Sequence, residues 1–312
     1  MTPSISLTIL GFDLWIWVTI FAAVAQTFRS ATQKKMKPIL GDTGASYIRF
    51  SYALPFSWLF VVAYQQFSGL ILPNTTLMFW VWVSLASLMQ ILFTVLLIKL
   101  FSHRSFAAGT AFSKTEVLQA AIFEAIILGV VASVFTLSAI VIGVVAVVML
   151  SLAKAQMTRA DMKQALLSSQ TVTGLLSGAF LGLSTVFFKA AVLALDGGDW
   201  ALNSFYTGGM AVTLQTIAMG AWMMMAARGE LIASFVHWRS SLSAGFFGAL
   251  ATAGWFTAFT LYAVAPVRAL GQIELLITLA ISILYFREKT NKTEALAIIL
   301  LAISIIMILM DR

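Results

Sequence analysis

Runs of about twenty apolar residues follow one another along almost the whole chain, and few folds tolerate that pattern. Residues 81–98 read VWVSLASLMQILFTVLLI, with no charge and no alternation of apolar and polar positions. A bilayer's hydrocarbon core, about 30 Å thick, is crossed by about 20 residues of helix. Without water to bond the backbone, only helices and closed barrels can span it, and barrel strands must alternate. The composition agrees: 61% of the 312 residues are hydrophobic and 10% are charged, where a soluble domain carries roughly a quarter. The sequence therefore predicts an all-α membrane protein.

Ten such runs are legible, at roughly 12–33, 44–66, 77–98, 105–128, 132–153, 171–195, 199–226, 240–265, 267–286 and 291–311. The connectors are too short for a soluble domain. The longest, 154–170, reads KAQMTRADMKQALLSSQ and separates a first set of five spans (1–153) from a second (171–312). The first run lacks a basic leader and leads into Lys34, Lys35 and Lys37, so it reads as a span, not a cleaved signal.

The sequence pI of about 9.8 would suggest nucleic acid in a soluble protein. Here the basic residues mark topology. Connectors after odd-numbered spans hold Lys34, Lys35, Lys37, Lys99, Arg104, Lys154, Arg159, Lys163, Arg228, Arg239, Arg287, Lys289 and Lys292. Those after even spans, together with the termini, hold only Arg312. By the positive-inside rule the odd connectors are cytoplasmic and both termini lie outside.

A shift of 158 residues brings the two halves into weak register. HRSFAAGTAFSKTEVLQAAI falls on LYAVAPVRALGQIELLITLA, placing Glu116 on Glu274, Lys114 on Gln272 and Thr110 on Arg268. Five spans per half is an odd number, so the second half enters the membrane upside down. A five-plus-five inverted repeat is a mark of secondary transporters, whose sites lie near the bilayer midplane.

Two segments carry a resemblance. ASYIRFSYALPF opens the second span with Arg49, and ILYFREKTNKTEALAIILLAISIIMI closes the chain with Glu288 ahead of the last helix. With the ten spans, these resemble the EamA family of the drug/metabolite transporter superfamily. The first half departs from the family pattern, with Val130 where that Glu often recurs. The resemblance implies alternating access around a central cavity, a bacterial inner-membrane location, and cargo such as amino acids or other metabolites.

Charged residues inside a bilayer are costly and normally face a bundle interior or a wet cavity. Five cations lie inside the spans: Arg29, Arg49, Lys114, Lys189 and Arg268. Three carboxylates accompany them: Glu116, Glu124 and Glu274. Thr110 and Lys114 are four residues apart, as are Arg268 and Gln272, so each pair shares one helix face. Lys114, Arg268, Lys189, Arg29, Thr110 and Gln272 are the candidate substrate contacts. Glu116 and Glu274 each follow Lys114 or Gln272 by two residues, about 200° around an ideal helix. They read either as proton carriers or as structural ion-pair partners. Arg49 and Glu124 read as gate or span-end residues. Trp80, Trp82 and Trp255 offer an alternative, an aromatic-lined path for flat or amphipathic cargo. Pro55 and Pro266 are expected to start or kink their helices, and Gly182, Gly208 and Gly209 to admit close helix approach.

No Ser/His/Asp set, metal-ligand cluster or phosphate-binding glycine loop is present, and there is no cysteine. An enzyme, a cofactor and a metal are not expected. The sequence points to a secondary transporter of a small organic anion or zwitterion. An exporter of aromatic amino acids or amphipathic drugs is the alternative, with a non-transporting membrane protein behind it. The expected partners are the small-molecule substrate and the lipid bilayer, with no nucleic acid; a homodimer is left open.

Overall fold

The computed structural model describes residues 8–9, 11–101, 112–154, 169–277 and 291–311. Helix dominates: α1 (Leu14–Ser51), α2 (Ala53–Ser68), α3 (Leu77–Phe101), α4 (Glu116–Leu128), α5 (Val134–Lys154) and α6 (Ser169–Leu193). These are followed by α7 (Trp200–Ala226), α8 (Arg228–Val236), α9 (Trp238–Leu261), α10 (Val264–Gly271) and α11 (Lys292–Met310). Among the described residues seven helical stretches are long and apolar enough to cross a membrane. The chain is an all-α protein of membrane-spanning character.

One of those stretches, Leu14–Ser68, is 55 residues long. At 1.5 Å per residue that is about 80 Å, more than twice the hydrocarbon thickness. It is not one rod. Gly41 has φ 73° and ψ 179°, outside the helical region, and Pro38 precedes it. That backbone conformation is essentially reserved for glycine, so the helix breaks there and the chain reverses between its first two apolar runs.

Contacts group the chain into two compact units, each drawn from both halves of the sequence. The first is Met1–Ile91 with Phe187–Tyr262; the second is Leu92–Val186 with Ala263–Arg312.

In the first unit α9 lies along α1 through a stripe of small residues. A Cβ on Gly254 would sit 2.8 Å from Ala22 Cβ, and Ala244, Ala251 and Ala258 are fully buried nearby. Without a hydrophobic drive between helices in lipid, such close backbone approach is what holds them together. At one end, β3 (Asn74–Thr75) pairs antiparallel with β4 (Leu195–Asp196). The Thr76 hydroxyl donates to the Ala194 carbonyl at 2.8 Å. Asp199 caps α7 through the Leu202 N–H at 2.7 Å and accepts the Tyr64 hydroxyl at 2.6 Å. At the chain start β1 (Thr8–Ile9) pairs with β2 (Phe12–Asp13).

In the second unit α5 packs on α11, where a Cβ on Gly143 would meet the Ser304 side chain, whose hydroxyl donates to the Ala139 carbonyl at 2.7 Å. Asn291 caps α11 by accepting from the Glu294 N–H at 2.8 Å, while its own amide donates to the Glu294 carboxylate.

One boundary read from the sequence moves. Spans eight and nine were expected at 240–265 and 267–286; α9 ends at Leu261, Tyr262 is extended (φ −144°, ψ 176°), and α10 starts at Val264. Pro266 thus lies in the first turn of α10, where the missing N–H costs nothing. Unbroken hydrophobicity through TLYAVAPV hid that junction.

Candidate functional site

The two segments that carry most of the intramembrane charge in the second unit are not continuous helices. Ahead of α4, residues 112–113 are helical, Lys114 and Thr115 form a turn, and helix resumes at Glu116. The Thr115 N–H donates to the Phe112 carbonyl at 3.2 Å and the Leu118 N–H to the Thr115 carbonyl at 3.1 Å. After α10, Gln272 forms a turn and helix resumes at Ile273. There the Gln272 N–H donates to the Ala269 carbonyl at 3.1 Å and the Leu275 N–H to the Gln272 carbonyl at 2.9 Å. Bonds reaching back three residues instead of four tighten the helix locally. The turn residues share ψ near zero: −3° at Thr115 and −7° at Gln272. Lys114 and Gln272 stand 158 residues apart, the spacing at which the two halves of the sequence align.

Polar side chains support the first interruption. The Thr115 hydroxyl donates to the Phe112 carbonyl at 2.7 Å, and the Gln119 amide donates to Thr115 Oγ1 at 2.9 Å. On α6, Gly178 and Gly182 let the neighbouring backbone come close. A Cβ on Gly178 would lie 2.9 Å from the Ser113 carbonyl oxygen, and one on Gly182 would lie 3.2 Å from the Glu116 carbonyl oxygen.

The charges at the two interruptions pair crosswise. Arg268 on α10 forms an ion pair with Glu116 at the start of α4, with side-chain exposures of 12% and 3%. Lys114 lies 3.6 Å from Glu274, with exposures of 32% and 18%. The 200° separation of Lys114 from Glu116 is accommodated because each reaches a partner on the other segment. Glu116 Oε2 is buried and has no hydrogen-bond partner among the described residues; the same holds for Gln272 Oε1. Lys114, Gln272, Val117, Gly143 and Ser304 line a cavity of about 10 Å³, the room of roughly one water molecule.

Glu124, two turns beyond Glu116 and 2% exposed, holds the other end of α10. Its carboxylate accepts from the Val264 N–H at 2.8 Å and the Ala265 N–H at 3.2 Å. A carboxylate at a helix N-terminus satisfies orphan donors and complements the positive end of the helix dipole. α10 is therefore gripped from α4 at both ends, by Glu124 at its start and Glu116 near its close. Glu124, expected at a gate or span end, is a cap; the sequence signal bearing on it is Pro266, which marks a first helical turn.

The remaining candidates lie in the first unit. Lys189 is 6% exposed and its ammonium donates to the Tyr262 carbonyl at 2.8 Å; the Tyr262 ring stacks on Trp15, centroids 4.4 Å apart. Arg29 is 9% exposed. Arg49 lies over the Phe50 ring, 4.7 Å from its centroid. Gly248 of α9 admits both segments: a Cβ there would lie 3.0 Å from the Arg49 carbonyl oxygen and 3.7 Å from Arg29 Cδ. Trp255 is buried and donates to Gln26 Oε1 at 3.0 Å, Trp82 stacks on Phe187, and Trp80 is 40% exposed. Thr110 and Glu288 lie outside the described residues. Among the described residues no group of three metal-ligating side chains is brought together.

A further contact was not legible in the sequence. The Glu230 carboxylate accepts the Gly44 N–H at 2.8 Å, and a Cβ on Gly41 would overlap that carboxylate. No family model and no curated protein matches the chain. Solved structures do share its fold. One, described only as "Crystal structure of protein", superposes with a TM-score of 0.64 over 94% of this chain and 95% of its own, at 11% sequence identity.

Proposed function

We propose that the chain is a secondary transporter of a small polar metabolite, working by alternating access. In this reading ten spans form a five-plus-five inverted repeat of the EamA type, in a bacterial inner membrane with both termini periplasmic. The observation that carries it is the pair of matched helix interruptions, at Lys114–Thr115 and at Gln272, with crossed ion pairs upon them. Interrupted helices bearing intramembrane charge are where secondary transporters hold their cargo, and such charge is retained at a cost that function must justify.

The charge count favours a zwitterion over a multiply charged anion. Lys114 and Arg268 are each matched by a carboxylate, so this cluster carries two positive and two negative groups. An amino acid offers the same two charges. Its carboxylate can replace Glu274 on the more exposed Lys114 while its ammonium takes up the carboxylate so released.

The test is ligand-induced thermal stabilisation of purified protein, followed by counterflow in proteoliposomes. The panel holds amino acids, mono- and dicarboxylates, phosphorylated metabolites and aromatic or cationic drugs. Amino-acid stabilisation and counterflow, both lost in a folded Lys114→Gln variant, support the proposal. Response to aromatic or cationic compounds alone, unchanged by Lys114→Gln, replaces it with the drug-exporter reading. Absence of counterflow with any stabilising ligand rejects transport.

A further inference from the structure

The nine-residue helix α8 is too short to cross a membrane: at 1.5 Å per residue it spans about 13 Å. It lies between α7 and α9, two helices long and apolar enough to do so, so connectivity confines it to the membrane surface. Its inner face is packed. Ala227 and Leu231 meet Tyr47, Phe50, Met219 and Met223; Ser234 is fully buried, and its carbonyl accepts the Tyr52 hydroxyl at 2.8 Å. Its outer face is not polar. Ile232, Phe235 and Val236, spaced at i, i+3 and i+4, are 54%, 56% and 67% exposed, and Trp238 follows at 47%.

Charge around this stripe is sorted by sign. Arg228 and Arg239 flank it and are exposed, with the Arg239 guanidinium 5.4 Å from the Trp238 ring centroid. Lys34 and Lys35, on the neighbouring stretch of α1 in the same unit, are also exposed. The local carboxylates are engaged: Glu230 by the Gly44 N–H, and Asp42 by Lys37 at 2.8 Å. An apolar stripe flanked by exposed arginines, with the nearby carboxylates spent on internal contacts, complements an anionic lipid surface. Apolar side chains enter the headgroup–acyl boundary while arginines meet the headgroups.

We propose that the outer face of α8, with Arg228, Arg239, Lys34 and Lys35, is a binding surface for anionic phospholipid headgroups. The Glu230–Gly44 bond ties that surface to the glycine break between the first two apolar runs. The inference is independent of what the chain transports.

The chain has no cysteine, so Val236→Cys gives one labelling site for an environment-sensitive fluorophore. The labelled full-length protein is reconstituted in phosphatidylcholine vesicles holding headgroup-spin-labelled lipid, either phosphatidylcholine or phosphatidylglycerol. The expected result is quenching by both, with the anionic lipid preferred at least about fivefold, the effect of roughly one cation at a membrane surface. Replacing Arg228, Arg239, Lys34 and Lys35 together by glutamine should bring the ratio close to one while quenching by the neutral lipid persists, which shows that the face still meets the bilayer. High salt should lower the ratio in the parent protein without any substitution. Equal quenching by the two lipids, or an aqueous emission that neither lipid quenches, overturns the proposal.

Discussion

Replacing Arg268 by methionine tests whether the cross-paired cluster holds the second unit together. The substitution keeps most of the side-chain volume and leaves the Glu116 carboxylate, whose side chain is 3% exposed, without its cation. Both partners of this pair lie well below a third exposed, so solvent screening offers little relief. Removing one member of a buried pair costs about 3–5 kcal/mol, most of it the penalty of an uncompensated charge. Replacing Glu116 as well, by glutamine, removes that charge and should recover most of the loss. The coupling from the double-mutant cycle is then about 2–4 kcal/mol. Lys114→Met serves as the contrast. Its pair with Glu274 is longer, at 3.6 Å, and Lys114 is 32% exposed, so the loss should be nearer 1 kcal/mol. Unfolding of the parent, the two single variants, the double variant and Lys114→Met in mixed detergent micelles, followed by tryptophan fluorescence, measures all terms. Additive effects of Arg268→Met and Glu116→Gln, or a loss for Arg268→Met no larger than for Lys114→Met, would refute the clamp.

Three further outcomes follow from particular contacts. Glu124→Ala should cost about 2–4 kcal/mol in the same unfolding assay, because the buried N–H groups of Val264 and Ala265 lose their acceptor at roughly 1–3 kcal/mol each; Glu124→Gln, which keeps an acceptor, should cost less than half as much. Gly178→Ala places a Cβ 2.9 Å from the Ser113 carbonyl oxygen. The expected loss is about 1–3 kcal/mol, with faster hydrogen exchange around Thr115 as the local readout. Gly41→Ala meets both a glycine-only backbone conformation and the Glu230 carboxylate. It should lose at least about 1–3 kcal/mol, and the Gly41→Ala, Glu230→Ala double variant should recover the steric part alone.

The sequence by itself determined the class of fold and where the charge lies. Long apolar runs dictate membrane-spanning helix because hydrocarbon offers the backbone no other partners, and most of the expected runs coincide with helices. It also singled out Lys114, Arg268 and Gln272 among the candidate substrate contacts, and Glu116 with Glu274 as a matched pair, since intramembrane charge and its repeat spacing are visible in the sequence. It did not give their pairing. An ideal helix set Glu116 about 200° from Lys114 and left both ion pair and proton carrier open. Only the tertiary structure shows the turns at Thr115 and Gln272, and the glycines of α6 that admit them. The turn at Thr115 is held by the Thr115 hydroxyl and the Gln119 amide, contacts that no local hydrophobic pattern encodes. The end of α9 at Leu261, the Glu124 cap and the Glu230–Gly44 bond belong to the same class. Each joins residues more than a hundred positions apart or breaks a helix where hydropathy continues. Hydropathy reports transfer into lipid, summed over a window; where a helix breaks is decided by the hydrogen bonds that a distant segment offers to the freed backbone.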